Sequence, residues 1–143
     1  TRSTIVEYAD FKRLLESGES DRVDFKLDCG AFRDRIGRAT AELAKDICAM
    51  ANNGNRSSYI VIGVDDSGKR FNSVENDKLT DDNLQSWCRE VIYPPPRLRV
   101  HVLRWKRVPA AHANKTFVVI QIGPNARQAF CIAKDLINYR EAH

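Results

Sequence analysis

Glu19, Asp24 and Lys26 fall close together in the stretch Gly18-Glu19-Ser20-Asp21-Arg22-Val23-Asp24-Phe25-Lys26. On an extended strand, Asp24 and Lys26 share one face while Val23 and Phe25 turn to the other, and Glu19 stands just ahead of them. Two carboxylates beside a lysine can hold a divalent metal through hard oxygen ligands and set a cation against a phosphate. The same residues would equally make a solvated strand face with an ordinary ion pair. A third carboxylate is available from Asp65 or Asp66, which follow the apolar run Tyr59-Ile60-Val61-Ile62-Gly63-Val64.

Gly63-Val64-Asp65-Asp66-Ser67-Gly68-Lys69-Arg70 comes near the phosphate-binding pattern G-x-x-x-x-G-K-[ST], but Arg70 stands where the magnesium-binding hydroxyl belongs. Two aspartates inside such a loop would repel the phosphates, and Asp-Ser-Gly reads better as a tight turn. Basic residues crowd instead into Arg97-Leu98-Arg99 and Arg104-Trp105-Lys106-Arg107, with Arg127 further on. Arginines at alternate strand positions match a phosphate backbone, and a charged edge strand that blocks aggregation has the same appearance. His101, His112 and His143 lack the neighbours of a metal site or catalytic base, and no G-x-S-x-G elbow or Cys-His pair occurs. Nucleophilic hydrolase chemistry is therefore disfavoured. Cys29, Cys48, Cys88 and Cys131 are too far apart for a zinc knuckle and read as free thiols.

These groups need a scaffold, and the apolar periodicity supplies one. Tyr8, Phe11, Leu14 and Leu15 predict a helix over 7–17 stopped by Gly18, and Val23–Leu27 alternates as a strand. Ile36, Ala39, Leu43, Ile47 and Met50 form a helical stripe over 34–52, ended by Asn52-Asn53-Gly54-Asn55. Tyr59–Val64 and Phe117–Ile122 are apolar on both parities, as strands covered on two faces are. Thr80 caps a helix whose first turn holds Asp81 and Asp82, and Pro94-Pro95-Pro96 halts it. Along 97–106 the apolar parity flips after Val102, which predicts a bulge or strong twist. A short strand near Leu136–Arg140 ends the order helix, strand, helix, strand, helix, strand, strand, strand. That is an α+β fold with a mixed β-sheet and two to three flanking helices.

At 143 residues the chain predicts a single domain, and 43% hydrophobic with 29% charged residues is a globular balance. No apolar run approaches the roughly 20 residues of a membrane-spanning helix, and no secretory signal opens the sequence. With 23 Lys and Arg against 19 Asp and Glu the net charge of +4 is permissive for an anionic partner. Thr1 in place of Met leads us to expect a piece of a longer protein, and cysteines read as free thiols lead us to expect cytoplasmic localisation, or nuclear in a eukaryote.

Three motifs in order add a resemblance. Glu19-Ser20 with Asp24-Phe25-Lys26, then Ala49-Met50-Ala51-Asn52, then Ile62-Gly63-Val64-Asp65-Asp66-Ser67-Gly68 resemble the Schlafen-type AlbA-like domain, and Asn138-Tyr139-Arg140 resembles its last strand. The resemblance implies one nucleic-acid-binding domain over 1–143, of the kind found in transcriptional regulators and in Schlafen proteins. It further implies, for members that cleave RNA, three acids holding magnesium or manganese, which here would be Glu19, Asp24 and Asp65 or Asp66. Asp24 is one methylene shorter than the family's usual glutamate, and the usual Gly-Gly before the apolar strand is replaced by Gly54-Asn55-Arg56-Ser57-Ser58.

The expectation is a module for DNA or structured RNA, recognised by backbone and shape, with Lys26, Arg97, Arg99, Arg104, Lys106 and Arg127 on phosphates. Binding would need no cofactor. The alternative is a metal-dependent endoribonuclease with Lys26 steadying the scissile phosphate. A homodimer, or pairing with a second similar module, fits either. Both picture the Asp24-Phe25-Lys26 strand and the arginine ribbon on one concave surface.

Overall fold

The computed structural model describes residues 7–27, 37–52, 56–125 and 130–132. Its elements in chain order are α1 (Tyr8–Ser17), β1 (Val23–Lys26), α2 (Arg38–Ala51), β2 (Ser58–Ile62), α3 (Asp81–Val91), β3 (Ile92–Tyr93), β4 (Leu98–Arg104), β5 (Thr116–Ile122) and β6 (Cys131–Ile132). The α+β class and mixed sheet hold. The strands β1-β2-β5-β4 form one sheet, in which β1 runs parallel to β2 and the other neighbours are antiparallel. A parallel pair needs a crossover, and α2 supplies it by packing its apolar stripe onto the sheet.

Both faces of the two central strands are covered, which explains their unbroken apolar runs. On one face Leu43 and Ile47 of α2 and Leu84 and Trp87 of α3 cluster with Ile60, Ile62, Val118 and Ile120. On the other, Phe11 of α1 packs with Val23, Phe25, Val61, Phe117 and Val119. Phe11 is the one fully buried side chain of α1, so it is what fastens that helix. Losing a buried Phe costs about 3–5 kcal/mol.

The expected bulge in β4 is absent. Residues Leu98 to Arg104 pair without interruption with Ile122 to Thr116. The apolar parity changes because the cover changes: Leu98 and Val100 meet the α2–α3 side, whereas Leu103 belongs to the α1 cluster on the opposite face. Val102 continues the first face beyond its cover and lies 56% exposed.

Leu136–Arg140 lies outside the described residues, as do Cys29, Ile36, Gly54 and Asn55. The described ladder there is β3 with β6, Ile92 opposite Ile132 and Tyr93 opposite Cys131. Asn52, the last residue of the Ala-Met-Ala-Asn motif, holds this segment in place. Its amide donates to the Phe130 carbonyl (3.0 Å) and its Oδ1 accepts from the Phe130 N–H (2.7 Å), imitating a neighbouring strand. The Cys48 thiol donates to the same carbonyl at 3.1 Å. Cys48 and Cys88 are buried thiols outside any disulfide, and burial pushes the Cys88 thiol up to about 12.

Candidate functional site

Asp24 and Lys26 lie on the α2 face of β1, because Val23 and Phe25 are drawn into the α1 cluster. Lys26 Nζ contacts Asp24 at 3.1 Å and Asp46 of α2 at 2.8 Å. Burial works against its charge, but the hydrogen bond and charge of Asp46, then those of Asp24, prevail and hold its pKa above the ordinary lysine value. Asp46 was missed in the sequence. It stands three residues after Leu43 and one before Ile47, so helical periodicity alone puts it at the border of the buried stripe.

Glu19 reaches the same edge. Its Oε2 accepts from the Phe25 N–H at 3.2 Å. Partial burial, a side-chain hydrogen bond to Asp24 and the charges of Asp24 and Asp66 raise its pKa, against the lowering effect of the Phe25 N–H. Asp66, not Asp65, is therefore the loop acid that senses this cluster. Asp65 organises its own turn: its Oδ1 accepts from the N–H groups of Lys69 and Arg70, both at 3.0 Å, and from Ser67 Oγ. The Arg70 N–H bond leads the causes that lower its pKa. The loop closes as a turn in which Val64 bridges Phe71, not as a strand entering a helix, so the phosphate-loop pattern has no structural counterpart. Gly63 permits this closure. Its φ is +108°, and a Cβ would lie 2.7 Å from the Asn72 carbonyl oxygen.

A divalent metal in the acid cluster would need the three carboxylates to converge. Glu19 comes within hydrogen-bonding reach of Asp24, but Lys26 already neutralises Asp24. Among the described residues no group of three or more His, Cys, Asp or Glu is arranged to hold a metal ion. As placed, the residues do not fit a three-carboxylate metal site.

The arginine-bearing strand is at the opposite edge, three strand spacings or about 14 Å away. Register puts Arg99 opposite Gln121 and His101 opposite Val119, on the α1 face. Lys26 occupies the other face, so it does not share one concave surface with Arg97 and Arg99; Arg104 has the parity of Val102 and lies on Lys26's face, but at the far edge of the sheet. Arg97 and Arg99 are exposed and line a groove of about 480 Å³ with Gln85, Gln121 and Pro124. The buried Asn125 accepts from the Arg97 N–H at 2.7 Å, fixing the backbone from which that side chain leaves. His101 Nε2 lies 3.1 Å from Gln121 Oε1 in the floor beside Arg99. Arg104 donates to Thr116 Oγ1 at 3.1 Å, and Lys106 and Arg107 follow in an exposed loop. Among the described residues, no carboxylate pairs with any of these five cations. Arg127 lies outside the described residues. Trp105 belongs to the fold instead, 5.3 Å edge-on from Tyr8 and 5.2 Å from Phe11 between ring centres.

One feature of the sequence anticipates this arrangement better than the motifs do. None of the 19 acids falls between residues 91 and 134, where eight lysines and arginines are found. A continuous segment free of acids keeps its cations unpaired locally, and here that segment builds the sheet edge.

A family model described as Schlafen, AlbA_2 matches residues 19–141. No curated protein matches the chain closely enough to count as a relative. Among the described residues no helix is long and apolar enough to cross a membrane.

Proposed function

The chain belongs to the Schlafen, AlbA_2 family, and from that premise we propose that it binds nucleic acid along the β4 edge. The observation that carries this reading is the row Arg97, Arg99, Arg104, Lys106 and Arg107, exposed and without a carboxylate partner among the described residues. Arg97 and Arg99 clamp one phosphate over their groove. Arg104, which leaves β4 on the opposite face, and Lys106 and Arg107 of the loop after it meet further phosphates of a backbone that crosses the strand edge. Such contacts position a strand or duplex without reading its bases, so recognition is by backbone and shape, for DNA or structured RNA alike. A role inside a transcriptional regulator fits a module of this kind. Lys26, held between Asp24 and Asp46, takes no part.

The test is fluorescence anisotropy with a labelled 20-base-pair duplex over a salt series. Three or four phosphate contacts give a slope of about −3 to −4 in log K against log salt. Binding indifferent to salt, or none at low ionic strength, refutes the reading.

A second reading, metal-dependent cleavage of RNA, draws on the nearness of Glu19, Asp24 and Asp66. It requires those side chains to rearrange and Asp24 to leave Lys26. Incubation of transfer RNA with the protein and manganese, beside Asp24→Asn, separates the readings. Cleavage by the parent protein that is lost in the variant supports the second, and intact RNA in both supports binding alone.

A further inference from the structure

Among the described residues β4 is an outer strand, and its register decides which backbone groups it turns away from the sheet. Gly123 donates to the Arg97 carbonyl at 2.8 Å. The antiparallel alternation then turns the N–H and C=O groups of Leu98, Val100, Val102 and Arg104 away from β5. Helix α3 covers the first half of this row. Gln85 Nε2 donates to the Leu98 carbonyl at 3.0 Å, and Asp81 Oδ1 accepts from the Val100 N–H at 2.7 Å. The second half is bare: the Val100 carbonyl, both groups of Val102 and the Arg104 N–H meet no partner among the described residues. Beside them Val102 stands 56% exposed at a groove of about 560 Å³, lined by Val74, Glu75, Asp77, Leu79 and Thr116.

We infer that the Val102–Arg104 edge receives an extended acidic peptide, which joins the sheet as a fifth strand. Its main chain satisfies the four free groups of β4, the usual source of affinity when a strand is added to a sheet. One uncharged apolar side chain enters the groove against Val102, Val74 and Leu79, and Glu75 and Asp77 exclude a carboxylate from that position. Acidic residues further along meet Arg104, which Thr116 holds in place, and then Lys106 and Arg107.

A second copy of this chain fits poorly. A two-fold axis through Val102 would set Arg104 of one copy against Val100 of the other, where Asp81 already takes the N–H, and would bring two cationic edges together. The α3 cap therefore blocks edge-to-edge dimerisation while leaving space for a peptide that has no helix of its own.

The probe is a fluorescein-labelled heptapeptide of threonines with one valine and glutamates two and four residues beyond it, so that all three lie on the face shared by Val102 and Arg104, titrated by anisotropy into the full chain at low salt. Saturable binding is expected, and Val102→Pro, which removes the central donor from the edge, weakens it about tenfold or more. The double variant Arg97→Ala with Arg99→Ala weakens the duplex and leaves peptide binding unchanged, which separates this site from the Arg97–Arg99 groove. Should the variant misfold, a peptide N-methylated at alternate residues serves instead, keeping every charge but losing its hydrogen bonds along one edge. It too binds about tenfold more weakly. Equal binding of the methylated peptide, or no binding of either, overturns the proposal. So does a dimer in sedimentation that Val102→Pro dissolves, or a single-stranded oligonucleotide that displaces the peptide and itself loses affinity in Val102→Pro.

Discussion

Asp81→Ala tests how the sheet edge is held. Asp81 sits in the first turn of α3 behind the cap Thr80, and its carboxylate accepts the Val100 N–H at 2.7 Å. It also approaches Gln85 Nε2 at 3.3 Å, and Gln85 in turn donates to the Leu98 carbonyl. One residue thus ties a helix start to an outer strand. A hydrogen bond to a charged group contributes about 1.5–3 kcal/mol. The interaction of a carboxylate with the helix dipole adds about 0.3–1 kcal/mol. Removing both costs about 2–3 kcal/mol, since the freed N–H is partly rehydrated. For a domain of this size that corresponds to a fall in Tm of roughly 6–9 °C. Asp81→Asn keeps an oxygen acceptor and loses the charge, so its Tm should fall by roughly half as much. Thermal unfolding followed by circular dichroism at pH 7 reads both values. A change under 2 °C for Asp81→Ala, or equal damage from the two substitutions, would refute the reasoning.

Two more predictions concern titration. The raised pKa of Glu19 means that folding favours its protonated form, so stability present below the ordinary value of 4.5 is lost as pH rises through the folded value. Glu19→Gln should flatten that decline and lift Tm at pH 7 by about 1–2 °C, the size of a solvent-screened interaction; a lower Tm would count against the repulsion inferred here. His112 has the opposite dependence. Burial, then the charge of Lys115, lowers its pKa below 6.5, so stability should fall as pH drops below that value. Its Nδ1 lies 2.7 Å from the Tyr8 hydroxyl, and Tyr8→Phe should loosen α1, seen as smaller amide-exchange protection factors along Tyr8–Ser17 that shrink further in acid; protection factors equal to those of the parent would exclude this contact as the fastener.

The class of fold was legible in the sequence because strands covered on two faces and helices with one apolar stripe have different periods. β2, β5, α3 and its Thr80 cap all lie where their periodicity and capping residues put them. Of the two readings of β4, a bulge or a long twisted strand, the bulge failed for a physical reason. Its parity flip records a change of cover from the α2–α3 layer to α1, which looks the same in one dimension as a bulge. The pairing of Lys26 with Asp46 joins residues twenty positions apart through a crossover, and no local pattern reports it. Asp65 and Asp66 could not be ranked from sequence, since that depends on which of them caps its own turn. The acid-free run over 91–134, by contrast, was open to inspection and marks the edge that matters most to the proposed binding.

The most direct measurement compares salt slopes for duplex binding among the parent chain, the double variant Arg97→Ala with Arg99→Ala, and Lys26→Ala. If the β4 edge holds the phosphates, the double variant, which gives up the one phosphate that Arg97 and Arg99 clamp, should be shallower by about 0.9 and Lys26→Ala should be unchanged. An unaltered slope in the double variant, or an equal loss in Lys26→Ala, would contradict the account.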